Sequence, residues 1–335
     1  MDTNEKYISR CLELAQCGLP STMPNPSVGA VIVVDNIIIG EGYTSAYGGS
    51  HAEVNAINAV KDKSILTKAT LFVSLEPCSH FGKTPPCADL IIKHQIPNVV
   101  VGIVDPYAKV AGAGIKKLID AGINVTVGVL EKECLEMNKR FFTFHQKQRP
   151  YIILKWAETQ DGFIAPDFRQ ERKPVWISNE FSRQLVHKWR SEEHAIIVGT
   201  KTVIDDNPRL DTRDWFGKNP FKIIIDKNNR ISKENHIFDN QSEYEILSEE
   251  TIDFSSPIAS QIAIYLYNKN IQSVIIEGGK QTLQTFIDEN VWDEARVFKS
   301  NILFENGIKA PELKLKNYKK TNIFCDELLI YRNND

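Results

Sequence analysis

The chain has 335 residues, 42% hydrophobic and 25% charged, which suggests about two globular domains. Its net charge of −3 gives no support to a broad nucleic-acid-binding or membrane-binding surface, although local basic residues can still bind a small phosphorylated ligand. The polar N-terminal stretch MDTNEKYISR lacks the apolar core of a signal peptide, and no stretch is apolar enough to span a membrane, so we expect a cytoplasmic protein.

The first half of the sequence predicts alternating helices and strands. A helix begins at Asp2 or Thr3 and is ended by Gly18 and Pro20, and a β-hairpin rich in β-branched residues follows over 28–34 and 37–39. The next predicted elements are helix 51–60, strand 70–75, a helix from Pro86 to His94, strand 98–104, helix 114–121 and strand 124–129. This order predicts a sheet covered by helices on both faces.

A break falls between Glu131 and Pro150, where charged residues alternate with phenylalanines. We interpret this segment as a helix plus a hinge; nucleic-acid binding is the alternative, and a packed connector is favoured over it. The second half predicts strands over 151–156, 195–198, 221–225 and 273–276, helices over 180–190, 257–269 and 280–290, and a closing antiparallel pair over 294–304 and 323–331. It therefore predicts a second α/β domain with its own core.

Six cysteines in a chain of this length without a secretion signal are expected to stay reduced, which favours metal binding or burial over disulfides. Four of them lie in apolar or amphipathic surroundings and are predicted to be packing residues: Cys11, Cys17, Cys134 and Cys325. The other two, Cys78 and Cys87, lie on a proline-framed loop between a predicted strand and a predicted helix.

The residues with the clearest chemical role are His51, Glu53, Cys78 and Cys87. One histidine and two cysteines suit a zinc ion, and a carboxylate two residues after the histidine can face a bound water without being a ligand. The ligands are predicted near helix starts and a strand end, where they converge in open α/β sheets. A structural zinc site with His80 as fourth ligand is the alternative, but a three-ligand set favours an open catalytic position.

Such a site predicts hydrolytic deamination. Zinc lowers the pKa of a water molecule to about 7, and Glu53 carries the water's proton to a ring nitrogen and to the leaving amine of an amidine-like carbon. The products are a carbonyl group and ammonia.

Residues 1–145 resemble the cytidine deaminase superfamily, which has a three-layer fold. Eight residues separate Cys78 from Cys87, whereas nucleoside and tRNA deaminases usually have two. The strings PNPSVGAVIV, HAEVNAI, EPCSHFGKTPPC and DPYAKVAGAGIKKL are similar to one branch, the bifunctional deaminase–reductase family of riboflavin biosynthesis. The eight-residue insertion is typical of that branch.

The resemblance implies zinc on His51, Cys78 and Cys87, with Glu53 as the proton shuttle. It also implies contacts with the pyrimidine and the ribose phosphate of the substrate from Asn25, His80, Lys83 and Asp105. One departure is visible, because the family usually has Asn-Pro after Asp105-Pro106 and this chain has Tyr107-Ala108.

The second half contains a strand that runs into a helix through Gly278-Gly279, where backbone amides can approach a phosphate. Alone this is a weak signal, and it is not a Gly-x-Gly-x-x-Gly fingerprint. The strings LKWAETQDGFIA, LVHKWRSEEHAIIVGTKTVIDDNPRLDTR, IIIDKNNRI and VIIEGGKQTL resemble, in order, the reductase half of the same family. That half has a dihydrofolate reductase-like α/β fold and uses NADPH.

The resemblance implies site residues here too. For the cofactor they are Ala157, Trp176, Thr202, Asp206, Gly279, Lys280, Gln281, Thr282, Leu283, Gln284 and Thr285. For the substrate they are Arg190, Leu210, Arg213 and Glu277, and Lys155 and Asp161 are expected to shape the reactive region. The chain departs from the family at Pro174 and Lys227, where serine is common; Lys227 is expected to favour the extra phosphate of NADPH.

We therefore expect a bifunctional enzyme, with a zinc-dependent deaminase over 1–145 and an NADPH-dependent reductase over 146–335. Its substrate is expected to be a small phosphorylated pyrimidine, and the chain is expected to form a homodimer or homotetramer. Two alternatives stay open at this point. One is a zinc deaminase of a nucleoside, nucleotide or tRNA with a non-catalytic second domain. The other is a ligand sensor with a structural zinc ion.

Overall fold

The structure is a computed structural model that describes residues 2–81, 85–106, 112–167, 174–239 and 242–333. The chain divides into two compact units, Met1–Lys147 and Gln148–Asp335. Within the described ranges, no helix is both long and apolar enough to cross a membrane.

The first unit has a five-stranded sheet. Its strands are β1 (Gly29–Val34), β2 (Ile37–Tyr43), β3 (Thr70–Leu75), β4 (Asn98–Ile103) and β5 (Asn124–Val127). Its helices are α1 (Thr3–Gly18), α2 (Ala52–Ala59), a 3-10 helix (Lys63–Lys68), α3 (Cys87–Lys93), α4 (Ala113–Asp120), α5 (Glu131–Met137) and α6 (Lys139–Lys147).

The strand order of this sheet is β2-β1-β3-β4-β5, with β1 antiparallel to β2 and β3, and with β3, β4 and β5 parallel. Helices cover both faces, because successive strand residues point to opposite sides. A Cβ atom on Gly29 would lie 1.9 Å from the Cys11 carbonyl oxygen of α1, whereas one on Gly42 would lie 2.4 Å from the Ala56 nitrogen of α2. The parallel strands place their carboxyl ends at one edge, which is where the first site lies.

The second unit is built on an eight-stranded sheet and a small two-stranded one. Its strands are β6 (Tyr151–Glu158), β7 (Phe163–Ala165), β8 (Ala195–Gly199), β9 (Phe221–Ile225), β10 (Tyr244–Leu247), β11 (Ser273–Glu277), β12 (Glu294–Lys299), β13 (Ile308–Lys309), β14 (Tyr318–Ile323) and β15 (Asp326–Arg332). Its helices are α7 (Glu180–Glu192), α8 (Thr200–Asp206), a 3-10 helix (His236–Phe238), α9 (Ile258–Asn268) and α10 (Lys280–Asp288).

The order of the large sheet is β10-β9-β8-β11-β6-β12-β15-β14; the strands from β10 to β12 are parallel, and β15 runs antiparallel to its two neighbours. Each face carries its own core. Ile152 and Leu154 belong to one core, whereas Tyr151 and Ile153 belong to the other, as the alternation along β6 requires. A sheet buried on both faces explains the continuous apolar runs of the central strands.

These elements confirm the predicted α/β fold class for both units, each a sheet covered by helices. Three predictions need correction. The predicted strand 294–304 ends at Lys299, and the antiparallel edge gains a strand, β14, that was missed. Pro86 is the N-cap residue of α3 and therefore precedes the first turn of that helix. Cys17 and Cys325 are exposed and not packing residues, whereas Cys11 and Cys134 are buried.

Candidate active sites

The first site lies where three elements of the first unit meet. His51 directly precedes α2, Cys78 follows the end of β3, and Cys87 is the first residue of α3. The Nδ1 atom of His51 lies 3.3 Å from the Cys87 sulfur and 3.5 Å from the Cys78 sulfur. The three ligand atoms all lie within 4.8 Å of one another.

This geometry fits a tetrahedral zinc ion. With Zn–N near 2.1 Å and Zn–S near 2.3 Å, two ligands of one ion are separated by about 3.6 Å. The observed nitrogen–sulfur distances are close to that value. The hydrogen bond from Cys87, with His51 adding to the effect, holds the pKa of Cys78 well below its ordinary value, whereas the same hydrogen bond and burial raise the pKa of Cys87. A thiolate, the form that binds metals, is therefore favoured at Cys78.

Within the described part of the chain, the metal-ligand group contains three residues, and His80 is not among them. His80 is exposed, although it lies only two residues after Cys78. A site with three protein ligands leaves one position for water or substrate, which is the arrangement of catalytic zinc sites.

Glu53 lies in the first turn of α2 and is buried, with 4% of its surface exposed. The pKa of Glu53 is raised to about 7, chiefly by burial and also by the negative charge of Cys78, while His51 opposes the rise. A carboxyl group with this pKa can both take up and release a proton near neutral pH.

The other residues predicted to contact the substrate in the first unit lie outside the metal-ligand group. Asp105 is buried at 9% exposure just beyond β4, at the same sheet edge as Cys78. Asn25 is half-buried in the loop between α1 and β1. Lys83 and the departure at Tyr107 lie outside the described residues.

The second unit contains a cavity of about 1370 Å³ at the carboxyl ends of its parallel strands. The predicted substrate residues Arg190, Leu210, Arg213 and Glu277 all line this cavity, as does Lys155. Sites in open α/β sheets are expected at this edge.

The predicted cofactor residues are gathered in the same cavity. Ala157, Trp176, Thr202 and Asp206 line it, and so do the residues from Gly279 to Thr285 apart from Leu283. The side chain of Leu283 is fully buried in one core of this unit and is not among the residues that line the cavity. The expected cofactor contact from Leu283 stays a prediction.

The start of α10 has the features of a phosphate site. Gly278 and Gly279 precede the helix, and the Gly279 amide donates a hydrogen bond of 2.8 Å to the Thr202 hydroxyl. A helix N-terminus with nearby glycines presents free amides and a partial positive charge to an anion. These residues and the volume of the cavity fit the diphosphate of a dinucleotide.

Three charged residues form a network in the cavity wall. Arg190 donates to both carboxylate oxygens of Glu277, at 2.9 and 2.8 Å, and the Lys155 ammonium lies 3.6 Å from the same carboxylate. Burial by itself would raise the pKa of Glu277, but the charges of Arg190 and Lys155 outweigh it and lower this pKa to about 2. Burial lowers the pKa of Lys155, with Arg190 acting in the same direction.

Asp161 is placed elsewhere. It does not line the described cavity, and its carboxylate accepts hydrogen bonds from the Thr159 hydroxyl at 2.5 Å and from the Glu305 amide at 2.8 Å. Asp161 thus ties the turn between β6 and β7 to the segment after β12. These contacts favour a structural role for Asp161, and its expected part in shaping the reactive region stays a prediction.

His187 is one of the cavity residues that the sequence did not predict. His187 is buried on α7 and lines the cavity, and burial together with the charge of Arg190 lowers its pKa to about 4, so the imidazole is neutral at pH 7. Its Nε2 atom lies 3.4 Å from Asp214. The signal was its spacing, since a residue three positions before Arg190 shares the same helix face.

Both units match known protein families. The family model for the cytidine and deoxycytidylate deaminase zinc-binding region matches residues 1–103, and the model for the RibD C-terminal domain matches residues 150–304. The chain is 35% identical over 336 residues to the riboflavin biosynthesis protein RibD of Aquifex aeolicus, covering 96% of this chain and 93% of that protein. The Bacillus amyloliquefaciens RibD protein is 34% identical over 332 residues, covering 92% and 87%.

Solved structures agree with these matches. The diaminohydroxyphosphoribosylaminopyrimidine deaminase/5-amino-6-(5-phosphoribosylamino)uracil reductase of Thermotoga maritima superimposes with a TM-score of 0.88 at 36% identity, covering 98% of each chain. Acinetobacter baumannii RibD superimposes with a TM-score of 0.85 at 28% identity, covering 99% of each chain.

Proposed function

Because the chain belongs to the RibD family of riboflavin biosynthesis proteins, we propose that its two units carry out consecutive reactions on one phosphorylated pyrimidine. The chain is a bifunctional enzyme of riboflavin biosynthesis, a zinc-dependent deaminase and an NADPH-dependent reductase. The proposed substrate is 2,5-diamino-6-(5-phosphoribosylamino)pyrimidin-4-one, which loses ammonia before its ribose is reduced to the ribityl chain. We assign deamination to residues 1–145 and reduction to 146–335.

The observation that carries the first assignment is the convergence of His51, Cys78 and Cys87 beside the buried carboxyl group of Glu53. Zinc, when bound, lowers the pKa of a water molecule so that it can attack the carbon that bears the amino group. Glu53 would take one proton from that water and pass it to the ring nitrogen as the hydroxyl group adds to the carbon. It would then pass the proton of that hydroxyl group to the amine, which leaves as ammonia when the C–N bond breaks; a pKa of about 7 suits both transfers. Asn25, His80, Lys83 and Asp105 are the proposed substrate contacts.

When bound in the second unit, NADPH would supply the hydride that reduces the ribose carbon. The amides at the start of α10 are proposed to hold the diphosphate of the cofactor, with Thr202 keeping Gly279 in place. Ala157, Trp176 and Asp206 are proposed to line the rest of its path.

The substrate side of this cavity is proposed to lie around Arg213 and Glu277. Arg190 already makes two hydrogen bonds to Glu277 and a third, of 3.1 Å, to the Asp211 carbonyl oxygen. Its main effect is therefore to orient Glu277 toward the sugar hydroxyls. The side chain of Arg213 is 43% exposed and has donors left for the substrate phosphate, and Leu210 packs nearby in the cavity wall.

The departure at Lys227 suits NADPH. Lys227 lines the cavity and makes an exposed ion pair with Glu249 at 3.0 Å, which a phosphate can replace. The neighbouring Asp226 is buried and hydrogen-bonds the Thr200 hydroxyl and the Ile231 amide, so its charge is directed away from a ligand. Pro174 lines the cavity without a backbone donor, and one contact common in the family is proposed to be lost there.

We also propose that the enzyme is cytoplasmic and forms a homodimer or homotetramer. All six cysteines are free thiols, as expected in a reducing compartment. Strand β14 is an edge of the large sheet, and edge strands can pair with a second copy of the chain. Sedimentation analysis of the purified protein tests the assembly.

Two assays test the function. The purified chain should release ammonia from the diamino substrate and oxidise NADPH in the presence of the deaminated product. Failure of either assay with zinc-loaded protein overturns the corresponding half of the assignment. A deaminase limited to nucleosides or tRNA, with an inactive second unit, would give neither result and is not favoured by matches along the whole chain.

A further inference from the structure

Glu76, the last residue before Pro77 and the ligand Cys78, makes an unusual set of hydrogen bonds. It is buried, with 4% of its surface exposed, and its carboxylate accepts four backbone N–H groups. One oxygen accepts from Gly114 at 2.8 Å and Ile115 at 3.3 Å. The other accepts from Gly112 at 3.0 Å and Asp105 at 3.2 Å.

These donors come from the two ends of the connection between β4 and α4. Asp105 lies just after β4, and Gly112 is the residue that caps α4. A single carboxylate therefore fixes both ends of this connection relative to the zinc-ligand loop, which begins at Glu76 after β3 and carries Cys78. The carboxylate also lies at the N-terminus of α4, where a negative charge is favoured.

A second contact holds the same two segments together. A Cβ atom on Gly114 would lie 1.9 Å from the Pro77 carbonyl oxygen, so the first turn of α4 packs directly on the backbone of the zinc-ligand loop. In addition, the Glu76 amide donates to the Ile103 carbonyl oxygen at 2.9 Å, which continues the pairing of β3 with β4.

We infer that Glu76 is a positioning residue of the deaminase site, which sets Asp105 and the start of α4 at a fixed place relative to the zinc ligands so that the substrate binds in register with them. The inference rests on the proposed deaminase function and on Asp105 as a substrate contact. Glu76 is not a ligand of the metal, since it lies outside the group formed by His51, Cys78 and Cys87 within the described residues. Its effect is on substrate binding.

A carboxylate is needed because four N–H groups require four acceptor lone pairs. Glutamine offers one carbonyl oxygen and directs an NH2 group at backbone donors, so Glu76→Gln leaves buried N–H groups without partners. The fold keeps its core, but Asp105 and the start of α4 lose their fixed position. A loss of this kind changes KM more than kcat, because the zinc ligands and Glu53 are untouched.

The test compares Glu76→Gln with Leu66→Ala in the full chain. Leu66 is fully buried in the core of the first unit and precedes β3, at the end of that strand away from the zinc ligands. Zinc content, ammonia release, NADPH oxidation and thermal unfolding are measured for both variants. The expected result for Glu76→Gln is a KM for the diamino substrate raised about tenfold and a kcat lowered less than threefold. Zinc content and reductase activity are expected to be unchanged.

Leu66→Ala is expected to lower thermal stability without moving KM. The inference is overturned if Glu76→Gln leaves KM unchanged, if it loses zinc, or if its KM shift is matched by Leu66→Ala at equal loss of stability. A wild-type chain that releases no ammonia overturns the deaminase function itself, which is a separate outcome.

Discussion

Arg190 and Glu277 form a buried ion pair with two parallel hydrogen bonds in the wall of the reductase cavity. The pair joins α7 to the end of β11, at the strand that leads into the proposed phosphate site. Its charges are shielded from water, so each residue depends on the other for compensation. Removing one partner alone would leave the other charge buried without compensation, which is destabilising.

Removing the charge of Glu277 should make the second unit less stable in a pH-dependent way. The pKa of Glu277 is about 2 in the folded protein against an ordinary 4.5. This difference contributes about 3 kcal/mol above pH 4.5, and the contribution is lost as the pH falls from 4.5 toward 2. Glu277→Gln should therefore unfold at lower urea concentration at pH 7, and the gap from wild type should narrow below pH 4.5.

Tryptophan fluorescence is the suitable probe for this experiment, since all five tryptophans lie in the second unit. Glu250→Gln, at an exposed position of the same unit, serves as the matched control and should behave like wild type. If the unfolding midpoints of wild type and Glu277→Gln in urea differ by the same amount at pH 7 and pH 3, the assigned ion pair is contradicted.

Replacing one zinc ligand should remove the metal without removing the second activity. Wild-type protein should contain about one zinc per chain, and Cys87→Ser should contain less than about 0.1, because three protein ligands are the minimum of a catalytic site. Reductase activity should persist in this variant. Cys17→Ser changes an exposed cysteine outside the ligand group and should keep its zinc. Zinc retained by Cys87→Ser in elemental analysis would disprove the ligand set.

Lys227 should distinguish NADPH from NADH. Lys227→Ser is expected to weaken NADPH binding about fivefold and to leave NADH binding unchanged, since one exposed charge contact contributes up to about 1 kcal/mol. Fluorescence titration measures both dissociation constants. Lys314→Ser, at an exposed lysine that does not line the cavity, is the control. Equal weakening of NADPH binding and NADH binding would show that Lys227 does not contact the extra phosphate of NADPH.

Asp161 should affect stability and not turnover. Asp161→Ala removes the acceptor for the Thr159 hydroxyl and the Glu305 amide, so the variant should unfold at lower temperature. Its kcat/KM for reduction should stay within about twofold of wild type. A large fall in kcat/KM with unchanged thermal stability would contradict this prediction and show that Asp161 acts in the reductase site.

The zinc site could be predicted from the sequence because its ligands have local signals. His51 precedes a helix, Cys78 follows a buried strand, and the chemistry of zinc restricts the residue types that can serve. Helices and strands with strong periodicity, such as α1 and β3, were also predicted close to their observed bounds.

Other features depend on contacts between residues far apart in the chain. Asp161 binds backbone groups 143 and 144 residues away, which no local pattern reveals. The short strands β7, β10 and β13 were missed because two to four residues carry little periodicity. The burial of Leu283 could have been predicted, since Leu283 lies on the apolar face of an amphipathic helix. The predicted cofactor contacts were instead a continuous run from Gly279 to Thr285, which takes no account of helix faces.

The most direct test of two successive activities in one chain uses Glu53→Gln with both substrates. Supplied with the diamino substrate and NADPH, wild-type enzyme should release ammonia and oxidise NADPH in equal amounts. Glu53→Gln should slow ammonia release by about 10²- to 10⁴-fold, the usual contribution of a positioned acid–base group, and NADPH oxidation should slow with it. Supplied instead with the deaminated intermediate, the variant should oxidise NADPH at the wild-type rate. Normal ammonia release by Glu53→Gln, or no NADPH oxidation with the intermediate, would contradict the account.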